Sequence, residues 1–60
     1  MKNYLFEIVK GNYEGEDFFV QANNKSEALK IAHDVAVDNK IRFLGLYTDE
    51  EAERMGYDTY

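Results

Sequence analysis

The 60-residue sequence predicts a small α+β domain of element order β-β-α-β-α, and three observations carry that reading. Across residues 18–32 the apolar period changes from two to about 3.6 residues, so a strand runs into a helix through Asn23 and Asn24. Two alternating runs, residues 3–10 and 16–22, flank Gly11-Asn12-Tyr13-Glu14-Gly15, whose glycines and asparagine suit a hairpin loop. Finally, Thr48 is followed three residues later by Glu51, which marks a helix start directly after a third β-type run.

Taking the elements in order, residues 3–10 form the first strand, with Tyr4, Phe6 and Ile8 alternating with Leu5, Glu7 and Val9. Residues 16–22 form the second, with Phe18, Val20 and Ala22 on one face and Asp17, Phe19 and Gln21 on the other. The side chains favour a register that sets Phe6 against Val20, Ile8 against Phe18 and Lys10 against Glu16. A helix is expected over residues 25–39, with Asn24 as N-cap and Glu27 three positions on. At about 100° per residue, Ala28, Leu29, Ile31, Ala32, Val35 and Ala36 share one face. Alanines make that face slim enough to lie close to a sheet.

After the Asn39-Lys40 connection, residues 41–47 read as the third strand. A short helix follows over residues 49–55, with Thr48 and Glu51 as a capping box and Tyr47 and Ala52 as a hydrophobic staple. Gly56 is its C-cap, and residues 56–60 form a tail. The preferred topology is an antiparallel sheet of order 2-1-3, with the long helix on one face. Strand 3 lying parallel beside strand 2 is the alternative.

Composition narrows the chemistry. There is no cysteine and one histidine, so neither a disulfide nor a thiolate metal site is available. Twelve acidic against seven basic residues give a net charge of −5, which opposes direct nucleic-acid binding. No apolar run approaches the roughly 20 residues of a membrane span. The early Glu7 argues against a signal peptide, so a cytoplasmic setting is the expectation. A chain this short buries only about 60% of its unfolded surface, and small proteins often add a partner subunit.

The most informative expectation concerns the second sheet face. If Phe6, Ile8, Phe18 and Val20 face the long helix, then Leu5, Val9 and Phe19 face away from it. Strand 3 adds either Leu44 and Leu46, or Ile41, Phe43 and Tyr47, to that outer side. Each such side chain gains about 1.5–3 kcal/mol when buried, so the face needs a cover. Two covers are available: the short helix and tail folding back through Met55, Tyr57 and Tyr60, or another chain. Leu5, Val9, Phe19, Leu44 and Leu46 are therefore the candidate interface.

Other features carry less chemistry. His33 is too far along the helix from Ser26 for a nucleophilic pair. Asp49, Glu50, Glu51 and Glu53 form a candidate acidic patch, but acids at a helix start also complement its dipole. They lack the spacing of a calcium loop. No lysine–serine pair follows Gly11 or Gly15 to make a phosphate loop. The run from Phe19 to Ala32 resembles the strand-to-helix junction of many small bacterial and phage proteins, a likeness that implies no family and no active site.

The resulting expectation is a non-enzymatic protein–protein interaction module, self-associating through the outer sheet face or binding another protein, with no cofactor and no metal. The alternative is an acidic inhibitor of the kind phages and mobile elements encode, presenting its carboxylates to a basic nucleic-acid-handling enzyme.

Overall fold

A computed structural model describes all 60 residues. The elements follow as β1 (Lys2–Lys10), β2 (Asp17–Ala22), α1 (Lys25–Val35), β3 (Lys40–Tyr47) and α2 (Asp49–Met55). The sheet is antiparallel with order β2-β1-β3, so β2 and β3 run parallel to each other on either side of β1. This is the topology that the apolar patterns favour.

The side of the sheet under α1 holds the larger core. Tyr4, Phe6 and Ile8 from β1 join Phe18, Val20 and Ala22 from β2, and Ala28, Ala32 and Ala36 close it from the helix side. Those alanines recur every four residues, so they line one stripe and let the helix approach closely. Leu29, Ile31 and Val35 pack around the margin. The helix begins where Asn24 caps it, with the Glu27 N–H donating to Asn24 Oδ1 at 2.9 Å.

The hairpin register differs from the one the side chains favour. Tyr4 lies opposite Val20, Phe6 opposite Phe18 and Glu7 opposite Asp17, a shift of two residues. Two successive turns account for it. The Glu14 N–H donates to Gly11 O and the Glu16 N–H to Tyr13 O, while Ile8 exchanges bonds with Glu16 O and the Gly15 N–H. A two-residue shift leaves every side chain on its original face, so the apolar pattern cannot detect it. Lys10 consequently does not face Glu16. The Glu7–Asp17 repulsion that results is offset from the other side of β1, where Arg42 Nη2 lies 2.6 Å from Glu7 Oε1.

The long helix also stops earlier than its periodicity predicts, at Val35 rather than residue 39. Ala36 leaves helical geometry and Asp38 takes φ 63°, a left-handed conformation that Asp tolerates better than most residues. The sharp turn swings Asn39 under the hairpin loop. There its Oδ1 accepts from the Tyr13 N–H at 3.4 Å, and its Nδ2 donates to Val37 O at 2.8 Å. Gly11 is needed opposite: it has φ 132°, and a Cβ there would overlap the Asn39 amide. A contact distant in sequence thus ends the helix.

Candidate functional site

On the side of the sheet away from α1, Leu5 and Phe19 are the side chains expected to need a cover. They are 2% and 0% exposed. α2 supplies that cover, with Ala52 packed on Leu5 and Phe19 and Tyr47 closing the edge. The capping box that starts α2 is complete: the Glu51 N–H donates to Thr48 Oγ1 at 3.1 Å, and the Thr48 N–H donates to Glu51 Oε1 at 3.0 Å. Gly56 ends the helix with φ 75° and turns the chain towards β2.

The tail then does what α2 is too short to do. The Phe19 N–H donates to Asp58 O, the Tyr60 N–H to Phe19 O and the Gln21 N–H to Tyr60 O, each within 2.9 Å. Thr59 is bridged to Phe19 in parallel, so the tail lines the outer edge of β2. Tyr57 packs on Phe19 at one face of that edge and Tyr60 meets the Phe18 ring edge-on at the other. Leu5 and Phe19 are therefore not available to another chain, because the C-terminal segment covers them from within.

Neither option for strand 3 describes β3. Phe6 pairs with Phe43 and Leu5 with Gly45, so Leu44 is an extra residue that interrupts the alternation. Ile41 and Phe43 consequently join the α1 side, where Lys25 Nζ sits 4.6 Å from the centre of the Phe43 ring. Tyr47, four residues beyond Phe43, reaches the α2 side instead. On β1, Val9 is similarly extra, between Ile8 and Lys10. The candidate residues left exposed are thus Val9 and Leu44, which stand at the two irregularities, and Leu46.

β3 is also the free edge of the sheet. Ile8 directs its N–H and C=O towards β2, so by alternation Asn3, Leu5 and Glu7 bond towards β3. Their opposite numbers Tyr47, Gly45 and Arg42 bond inward, which leaves the peptide groups of Ile41 and Leu46 pointing out. Along this edge Leu44 is 40% and Leu46 52% exposed. The run Phe43-Leu44-Gly45-Leu46 carries no charge and no proline, so the bulge at Leu44 and the flanking Lys40 and Arg42 are what guard this edge. α1 packs mainly on β2 and β1, and so leaves this strand's outer flank open.

The acidic patch is largely engaged within the chain. Asp49 accepts from Asn3, Glu51 closes the capping box and Glu50 lies 3.5 Å from Arg54. Glu51 is held below the usual 4.5 by the Thr48 backbone N–H first, then by the Thr48 hydroxyl and the Arg54 charge. Glu53 is exposed, as is His33 on the last turn of α1. No three His, Asp or Glu side chains converge as metal ligands do, and no helix is long and apolar enough to cross a membrane. A shallow cleft of about 350 Å³ lies between the hairpin and the tail, lined by Tyr13, Glu16, Asp17, Phe18 and Tyr60 among others.

No protein family model, curated protein or solved structure matches this chain.

Proposed function

We propose that this protein is a non-enzymatic protein–protein interaction module that receives an extended segment of its partner along the β3 edge. One observation carries this reading: the β3 edge is unpaired and apolar at its centre, while the tail pairs the opposite edge of the sheet. Strand addition draws affinity from main-chain hydrogen bonds and specificity from alternate side chains. Here Ile41 and Leu46 offer the peptide groups and Leu44 and Leu46 the apolar contacts. Val9 lies on the neighbouring strand and is a secondary contact. A cytoplasmic setting goes with the reading, since the fold is assembled without disulfides.

Presentation of the α2 acids to a basic enzyme has less support, because Asp49 and Glu51 are bonded within the chain, which leaves only Glu53 and Glu50, itself exposed and 3.5 Å from Arg54, to present. The strand-addition reading is tested by selecting peptides from a random display library against the folded protein and mapping their footprints by backbone amide shifts. Footprints on residues 40–47 that vanish in a Leu44→Lys, Leu46→Lys double variant are expected. Footprints confined to α1, α2 or the hairpin loop would overturn it.

A further inference from the structure

We infer that the partner at the β3 edge is a second copy of this chain, joined by antiparallel β3–β3 pairing about a two-fold axis near Gly45. The inference rests on the strand-addition reading and names its occupant.

The first argument is charge. β3 begins with Lys40 and Arg42 and runs directly into Thr48-Asp49-Glu50-Glu51. The free edge is therefore basic where β3 starts, at Lys40 (Arg42 is paired with Glu7), uncharged along Phe43–Tyr47, and acidic beyond its end, where α2 starts. Parallel or like-end pairing sets equal charges together. Two-fold antiparallel pairing sets each basic end against the acidic end of the other copy. Lys40 is exposed and has no ion-pair partner within its own chain.

The second argument is apolar fit. A dyad near Gly45 brings Leu44 of one copy against Leu46 of the other, twice, and these are the two exposed leucines of the strand. The glycine at the axis allows the backbones to approach closely. The third argument is closure. A two-fold contact uses the same patch on both copies and consumes it. Because the tail already occupies the β2 edge, the joined sheet has no further free edge of this kind and stops at two copies. An unpaired edge otherwise templates open-ended assembly.

Sedimentation equilibrium from about 10 μM to about 1 mM covers the range where an interface at the small end of the usual sizes associates. The expected result is a shift from 7.0 kDa towards twice that mass. The Leu46 amide should become protected from exchange as the dimer forms. Charge-swapped chains supply the orientation test. Lys40→Glu and Glu50→Lys should each weaken self-association roughly tenfold, and mixing the two variants should restore a heterodimer. Within one chain Lys40 opens β3 and Glu50 lies on α2 beyond its other end, so a purely structural role would not produce that rescue. A single 7.0 kDa species throughout overturns the second-copy inference and leaves strand addition to the peptide test. A dimer whose concentration-dependent protection falls on α1 or the hairpin overturns both.

Discussion

The Asn3 side-chain amide donates to the Asp49 carboxylate at 2.6 Å and to Tyr47 O at 3.3 Å. Asn3 is 1% exposed, the one polar residue among the buried set, and it ties the start of β1 to the first residue of α2. A buried amide costs stability unless its bonds are made, so this pair fixes where α2 enters as well as holding it down. The placement of α2 in turn decides that Leu5 and Phe19 are core.

Removal of that tie should loosen the cover. Asn3→Ala is expected to cost about 1–3 kcal/mol, since a bond to a charged group is lost and the Tyr47 carbonyl loses a donor. Asn3→Asp should cost more, because it sets one carboxylate against another. Asp49→Asn, which keeps an acceptor, should cost less than either. Urea midpoints of the three variants give the order; equal effects would show that the bond does not hold α2.

The capping box gives a dependence on pH. The Glu51 carboxyl titrates below the usual 4.5 in the folded chain, chiefly because the Thr48 N–H bonds its charged form. A folded-state value below the unfolded one means that this stabilisation is fully present above the unfolded value. It is lost as the pH falls through the folded value. The stability gap between the native chain and Glu51→Gln should therefore be open at neutral pH and close on acidification below 4.5. Denaturant midpoints across that window measure it, and a gap that persists in acid counts against the assignment.

The tail makes a third expectation. Phe19 and Gln21 donate their N–H groups to Asp58 and Tyr60, so both amides should exchange slowly although β2 lies at the edge of the sheet. Deleting residues 58–60 should speed exchange at both, and should expose an apolar edge that promotes aggregation. Unchanged exchange at Phe19 after the deletion would mean that the tail does not pair with β2.

The local elements were legible because their causes are local. Asn24 with Glu27, and Thr48 with Glu51, mark helix starts through bonds spanning three residues. Alternation along β1 and β2 assigns Phe6 and Phe18 to one side and Leu5 and Phe19 to the other without reference to anything distant. Of the candidate interface, Val9, Leu44 and Leu46 stay exposed, whereas Leu5 and Phe19 do not. The need for a cover was readable from the chain, but the choice between its own C-terminus and another molecule was not. That choice turns on whether Ala52 and Tyr57 can reach Phe19, a question of three-dimensional path.

By itself, then, the sequence determined which segments are strand or helix, the order of the elements, and which side of β1 and β2 each residue faces. A period of two or 3.6 and a capping bond are properties of neighbouring residues, and they survive any arrangement of the rest. Only the tertiary structure decided the hairpin register, the end of α1 at Val35, the reversal of facing at Leu44 and the free β3 edge. The register depends on the double turn of Gly11–Glu16, which alternation does not detect; the others depend on distant partners: Asn39 docked beside Gly11, β1 opposite β3, and the tail on β2. A two-residue slip or a single extra residue leaves the local pattern almost unaltered while changing which groups meet, so those outcomes are set by packing.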